Sequence, residues 1–156
     1  MDATAWQQVL DQNELERTHL QQVVDELTDE ELSRPLQGGW TVAAVLAHLA
    51  FWDIRAYTVI TKWRRSGIEA SPIDTDVVND VTRELCLAVP PRVAAKLSLK
   101  WAQAIDSLLE EISPEFVETI RRSGTTMRLE RHVHRREHLD EIQSTLARFD
   151  AQGPGR

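Results

Sequence analysis

The stretch that decides the fold is TVAAVLAHLAFWDIRAY, residues 41–57. Its apolar side chains recur at the three- and four-residue spacing of one helix face. The members of this stripe are Val45, Leu49, Trp52 and Ala56. Thr41 precedes the stripe, where a hydroxyl oxygen can accept hydrogen bonds from the free backbone N–H groups of a helix start. We therefore predict a long helix from Thr41 to about Arg65 with one side in a protein core.

A second helical stretch, RHVHRREHLDEIQSTL (131–146), carries His134 and His138, four residues apart. On a helix this spacing places both imidazoles on one face, one turn apart, and on a ridge with the apolar Ile142. His48 lies on the inward side of the first stretch. Two histidines from one helix and one from another can enclose a single divalent metal and leave a fourth position for water or substrate. The pattern therefore predicts a three-histidine metal site.

The neighbours of His48 on its own helix predict a substrate pocket. Trp52 follows His48 by one turn and could form a wall over the metal. Arg55 follows by two turns and could reach an anionic substrate group, with an ordinary surface salt bridge as the alternative. Glu137 and Glu141 flank His138 as acceptors for its imidazole or as a solvated helix face. No residue is assigned as catalytic.

The other histidines and the single cysteine are placed outside this site. His132 lies about 160° around the helix from His134, so one metal ion cannot easily bind both. We expect His132 at a surface or edge, and His19 exposed on the polar part of the first helix. Cys86 has no nearby nucleophile signature, and a buried structural thiol is the better interpretation.

The rest of the chain repeats the helical pattern, and no alternating strand pattern or internal repeat interrupts it. Pro90 and Pro91 break one helical region into two pieces. The predicted helices are Thr4–Glu26, 41–65, 74–88, 92–111 and 127–149. With 74–88 and 92–111 counted as one broken unit, four long amphipathic helices joined by loops indicate an all-α antiparallel four-helix bundle. We predict one domain over residues 1–150 and a frayed tail over 151–156.

Composition and charge narrow the class of partner. The chain has 156 residues and a net charge of −7, which argues against nucleic acid or an anionic membrane as the main partner. We expect neither a signal peptide nor a membrane-spanning helix, because the first residues lack an apolar core and no apolar run is long enough to span a bilayer. A single cysteine excludes an internal disulfide and favours a reducing compartment. We expect a cytoplasmic protein that binds a small-molecule substrate.

Two motifs in this order, GWTVAAVLAHLAFWD (39–53) and HVHRREHLDEI (132–142), resemble those of the DinB-like family, also called the YfiT/DinB metalloenzyme superfamily. The resemblance covers nearly the whole chain and implies an up-down-down-up four-helix bundle. It implies a divalent metal, zinc or nickel, held by His48, His134 and His138. It further implies a bacterial homodimer with a role in stress response.

The resemblance implies a class of function and does not identify one specific reaction. Some relatives are S-transferases that use a low-molecular-weight thiol, bacillithiol or mycothiol. Our leading hypothesis is therefore a metal-dependent thiol S-transferase acting on an electrophilic small molecule. The alternatives are a metal-dependent hydrolase that activates water and a non-catalytic protein that sequesters a small molecule.

Overall fold

The structure is all-helical in the part of the chain that it describes. The computed structural model of the protein describes residues 3–152, and seven α-helices account for most of them. They are α1 (Ala3–Glu26), α2 (Asp29–Leu32), α3 (Val42–Ser66), α4 (Thr75–Ala88), α5 (Pro91–Glu110), α6 (Pro114–Arg122) and α7 (Arg131–Gln152). Within residues 3–152, extended pairing is limited to an isolated bridge between Pro35 and Thr41, which closes the loop before α3.

The helix starts follow the capping signals in the sequence. Before α2, the Thr28 hydroxyl accepts a hydrogen bond from the Glu31 backbone N–H, and the Glu31 carboxylate accepts one from the Thr28 backbone N–H at 2.8 Å. Before α3, the Thr41 hydroxyl accepts from the backbone N–H of Ala44 at 3.1 Å. These bonds satisfy donors that a helix leaves free in its first turn.

The bounds of the helices follow the sequence closely at the end of α3 and less closely at both ends of α7. Gly67 ends α3 with φ of 88°, a left-handed conformation that glycine adopts without strain. The last helix was predicted from Met127, but α7 begins at Arg131. It also continues through Gln152, three residues past the predicted end at Phe149, whereas the predicted frayed tail (151–156) stays a prediction. Residues 153–156 lie outside the described part of the chain.

The core consists of two apolar clusters at opposite ends of the long helices. Members of the first cluster include Leu20, Leu32, Leu46, Leu49, Ala102, Leu139 and Ile142. Members of the second include Trp6, Ala56, Ile60, Trp63, Ile105, Leu109 and Leu129. Along the chain, α1 and α7 run from the second cluster to the first, whereas α3 and α5 run from the first to the second. α3 packs on α4, α5 and α7, and α1 packs on α5 and α7.

A layer of buried polar side chains separates the two clusters. We call it the central polar layer; it consists of Asn13, Asp53, Asp106 and Arg135. The Arg135 guanidinium donates to both carboxylate oxygens of Asp106 at 2.8 Å and lies 3.4 Å from Asp53. It also donates to the backbone oxygen of Asn13 at 3.1 Å. One arginine on α7 therefore joins side chains or backbone from α1, α3 and α5.

The sequence analysis expected no apolar run long enough to span a bilayer, and the apolar character of α3 corrects that expectation. By length and composition alone, Val42–Ser66 is apolar enough to cross a membrane, with a mean hydropathy of 1.3. In the structure, 61% of the 18-residue apolar segment of α3 that meets this criterion is buried against the rest of the protein. A core helix passes the same test, and α3 is the helix around which α4, α5 and α7 pack.

Removing a carboxylate from the central polar layer should destabilise the fold strongly. Asp106→Ala leaves the Arg135 guanidinium without its two shortest ion-pair contacts in the protein interior. We expect a loss of about 3–5 kcal/mol in the free energy of unfolding, because a buried charge is left without full compensation. Urea unfolding followed by circular dichroism measures this loss.

The matched control removes a carboxylate from an exposed ion pair, Glu69→Ala, whose partner Lys62 is also exposed. Such pairs contribute little, so the unfolding midpoint should stay at the wild-type value. Equal midpoints for Asp106→Ala and Glu69→Ala would contradict the stabilising role of the layer.

Candidate metal centre

Three imidazoles meet between α3 and α7. His48 is buried on α3, while His134 and His138 are half-buried on α7. Each offers one ligand atom, and these atoms all lie within 4.8 Å of one another. The Nε2 atoms of His48 and His134 are 3.1 Å apart. The structure thus brings together the three histidines that the sequence analysis selected, from positions 86 residues apart in the chain.

The helix faces differ in detail from the predicted ones. The fully or nearly fully buried row of α7 is Arg131, Arg135, Leu139 and Ile142. His134 and His138 occupy the neighbouring row, which looks into a cleft rather than into the centre of the core. This placement leaves the two imidazoles accessible from the cleft, as a ligand-binding site requires.

Burial and positive charge keep two of the imidazoles neutral. Burial, with smaller contributions from His138 and Arg131, lowers the pKa of His48 from 6.5 to about 4. Burial is again the largest cause, followed by His138, Arg131, His48 and Arg128, and together they lower the pKa of His134 to about 2. A neutral imidazole has a free nitrogen lone pair, which is the form that binds a metal ion.

The spacing of the His48 and His134 nitrogens fits a shared divalent ion. Two nitrogens bound to one tetrahedral zinc ion would be about 3.3 Å apart, since each bond is about 2.0–2.1 Å long. The observed separation of 3.1 Å between His48 and His134 is close to that value. At His138, the Glu141 carboxylate lies 3.4 Å from Nδ1, which favours a proton on that nitrogen and leaves Nε2 free. Three imidazole nitrogen donors suit zinc, nickel and related ions.

The three histidines line a cleft of about 850 Å³. Trp40 and Trp52 pack edge-on against the His48 ring, with ring centroids 5.3 Å and 6.3 Å away. The Trp52 indole donates to the Asn79 side chain at 3.1 Å, which holds the ring in the cleft wall. The predicted pocket residues Trp52 and Arg55 both line this cleft. Their role toward a substrate stays a prediction.

Comparison with known proteins identifies the family to which the chain belongs. The profile of the DinB superfamily matches residues 12–151. The chain belongs to the DinB superfamily. A protein of Geobacillus kaustophilus (strain HTA426), named "Putative metal-dependent hydrolase", is 28% identical over 141 residues, which cover 83% of this chain and 77% of that protein. The comparison with solved structures gives no match. The family resemblance drawn from the two histidine motifs is thus confirmed.

The remaining histidines of this DinB superfamily member lie outside the cluster. His132 is half-buried, and its backbone N–H donates to the Asn13 side-chain oxygen at 2.9 Å. His19 was predicted to be exposed but is half-buried, with Nδ1 3.3 Å from the Glu16 carboxylate. Cys86 is buried as predicted, and burial raises the pKa of its thiol, so it is a poor nucleophile at neutral pH.

Sequence reasoning missed the groups that surround the cluster in this family member. The sequence analysis quoted Trp40 within a family motif but did not predict a place for it in the pocket, although its ring contacts His48. Arg131 was not selected, although its guanidinium donates to buried Asp53 at 2.8 Å next to the cleft. The available signal was the four-residue spacing of Arg131, Arg135 and Leu139, which places two arginines on the row of a core leucine.

The metal-free protein should lose stability as the pH falls from 6.5 toward 4. In this interval His48 of the unfolded chain takes up a proton, whereas the buried imidazole of the folded chain stays neutral, so acid favours unfolding. Urea unfolding of chelator-treated protein at pH values across this interval measures the slope.

The comparison variant is His48→Gln, which is neutral at every pH of the series. Its free energy of unfolding should depend less steeply on pH than that of the wild-type chain. Parallel curves for the two proteins would show that His48 does not titrate as its burial requires.

Proposed function

We propose that this DinB superfamily member is a divalent-metal-dependent enzyme with His48, His134 and His138 as metal ligands. The observation that carries the proposal is the cluster of three imidazoles in the wall of a cleft, two of them held neutral. The donor set favours zinc or nickel. The name of the Geobacillus relative, a metal-dependent hydrolase, supports metal dependence.

A divalent metal at this site would supply Lewis acidity, which lowers the pKa of a water or thiol that approaches it. The protein's own residues would define the space around the reaction. Trp40 and Trp52 cover the apolar sides of His48 and restrict water near it. Glu141 orients the His138 ring through Nδ1. Such fixed side chains hold a small electrophilic substrate in one orientation.

Our first candidate for the nucleophile is a low-molecular-weight thiol such as bacillithiol or mycothiol. The cleft volume of about 850 Å³ lies in the upper part of the usual range for small-molecule sites, about 300–1,000 Å³. That space supports simultaneous binding of a thiol and a second small molecule. The reaction would then be thiol transfer to an electrophile.

Water is the second candidate, which would make the protein a hydrolase. Two observations favour it. The Geobacillus relative carries the name of a metal-dependent hydrolase. Glu137 also lines the cleft, one residue from His138, and within residues 3–152 it forms no hydrogen bond or ion pair. A free carboxylate in this position could accept a proton from attacking water.

The arrangement of the helices supports the finer fold that the resemblance implied. We propose that α1, α3, α5 and α7 form an up-down-down-up four-helix bundle. The order in which each helix passes the two apolar clusters supports this topology. Homodimerisation and a cytoplasmic location stay predictions from the sequence.

Metal analysis is the direct test of the ligand set. We expect about one zinc, nickel or related ion per chain, as a three-histidine site with one open position binds. His48→Ala should lose this ion, and so should the double variant His134→Ala/His138→Ala. Elemental analysis of the purified proteins after dialysis measures the content.

The control is His19→Ala, which removes a half-buried histidine outside the cluster and the cleft lining and should retain the metal. Metal retained in both cluster variants would overturn the proposed ligands. No metal in the wild-type chain, even after reconstitution, would leave a helical small-molecule-binding protein as the better interpretation.

A thiol requirement separates the two reactions. For thiol transfer, turnover of an electrophilic substrate should require added bacillithiol or mycothiol and should disappear in His48→Ala. For hydrolysis, turnover of an ester or amide substrate should proceed without thiol and fall by about 10²-fold or more in Glu137→Gln, since general-base catalysis contributes about 10²–10⁴-fold. Product analysis by mass spectrometry distinguishes a thiol adduct from a hydrolysis product.

A further inference from the structure

Arg55 differs from the other arginines that are not exposed. The buried or half-buried arginines other than Arg55 each have a carboxylate oxygen within 3.6 Å. They are Arg17, Arg34, Arg83, Arg131 and Arg135. Within residues 3–152, Arg55 has no carboxylate partner; its Nη2 donates to the backbone and hydroxyl oxygens of Ser71 at 3.0 and 3.1 Å. The positive charge of Arg55 is therefore not paired with a carboxylate in the described part of the chain.

The free hydrogen-bond donors of Arg55 belong to a group that lines the cleft. Nη1 and Nε of its guanidinium have no hydrogen-bond acceptor among the described residues. The guanidinium carbon lies 5.9 Å from the centre of the Trp52 ring, which restricts the positions the side chain can take. A planar guanidinium with two free donors matches the two oxygens of a carboxylate or phosphate.

Because α3 and α7 pack antiparallel, the arginines of the cleft lie toward one end of it, and the glutamates of α7 lie toward the other. His48 faces His134, while Asp53, further along α3, faces Arg131, earlier on α7. Arg55 therefore lies at the same end of the cleft as the lower-numbered residues of α7 and the loop before it. We call this the basic end; it consists of Arg55, Arg128 and Arg131. The opposite end contains Glu137 and Glu141, and Asp80 on α4 also lines the cleft.

We propose that the basic end of the cleft binds an anionic group of the substrate, a carboxylate or a phosphate, with Arg55 as its main ligand. Arg131 is paired with Asp53, whereas the Arg128 side chain is exposed and adds positive charge to the same cleft. Arg55 follows His48 by seven residues, so the anion would bind about 10 Å along the helix from the histidine cluster. This inference rests on the proposed function for the identity of the anion as part of a substrate.

The substrate class that fits is a small molecule with an anion at one end and a reactive group at the other. The anion at Arg55 would fix the molecule in the cleft, and the reactive group would lie at the three histidines. Glu137 and Glu141 at the opposite end disfavour the reversed orientation by like-charge repulsion.

The test measures anion binding without any turnover. Succinate, inorganic phosphate and neutral succinamide are titrated at constant ionic strength into the full-length protein. The indole N–H signal of Trp52 is followed by proton–nitrogen NMR and assigned with Trp52→Phe. We expect a saturable shift with succinate or phosphate and none with succinamide. The anion that binds more tightly identifies carboxylate or phosphate as the preferred group.

Two variants decide whether Arg55 is the ligand. Arg55→Gln should weaken anion binding by about tenfold or more, as loss of charge-assisted hydrogen bonds requires. Arg55→Lys keeps the charge and should bind with intermediate affinity. The matched control is Arg65→Gln, an exposed arginine on the same helix outside the cleft, which should bind like the wild-type protein. Circular dichroism establishes that each variant is folded.

An absent shift with both anions, or equal binding in wild-type and Arg55→Gln protein, would overturn the inference. The titrations are repeated after chelation, so the result does not depend on metal. Metal bound by the three histidines without anion binding at Arg55 would remove only this inference. Anion binding at Arg55 in a chain that holds no metal would remove only the proposed function.

Discussion

The fold depends on the pairing of Arg135 with Asp53 and Asp106 in the middle of an otherwise apolar core. A buried guanidinium is costly unless it is paired and hydrogen-bonded, so the core tolerates it in only one arrangement of the helices. Sliding α7 by one turn, about 5.4 Å, would place either Leu139 opposite Asp106 or the Arg135 guanidinium at the position of Leu139 in the apolar cluster. Helices α3 and α7 carry the histidine cluster, and the pairing that sets their register also places His134 opposite His48. Stability and the candidate site therefore share one constraint.

Much of the fold was predictable because its signals are local. The hydroxyls of Thr28 and Thr41 cap the helices that follow them, and Pro90 with Pro91 separates α4 from α5, as the sequence indicated. The histidine cluster was predictable for a related reason, since the four-residue spacing of His134 and His138 fixes their relative direction on any helix. His48 needed one further assumption, that its helix neighbours α7. The family motifs support that assumption, and the 3.1 Å contact in the structure satisfies it.

The central polar layer was not predictable by the same reasoning. Charged residues in an amphipathic helix are normally read as its solvated face, and Arg135 stands in the run Arg-Arg-Glu-His. Its burial depends on Asp53 and Asp106, which lie 82 and 29 residues away in the chain. Periodicity within one helix carries no information about such partners. For the same reason the apolar ridge of α7 was placed one row away from its true position, on the side of His134 and His138 rather than of Arg135 and Leu139.

The arginines near the cluster have opposing effects on metal binding. Positive charge from Arg131 and Arg128 helps to hold His134 in its neutral form, which reduces competition from protons for the ligand nitrogens. The same charge repels a dication. Asp53 moderates this repulsion, because its carboxylate lies 2.8 Å from Arg131 on the side away from solvent. What positive charge remains at this end of the cleft is concentrated on Arg55 and Arg128, beyond the ligand atoms. The central polar layer thus shapes the electrostatics of the site as well as its geometry, because its Asp53 pairs with Arg131 and not with Arg55, the proposed anion ligand.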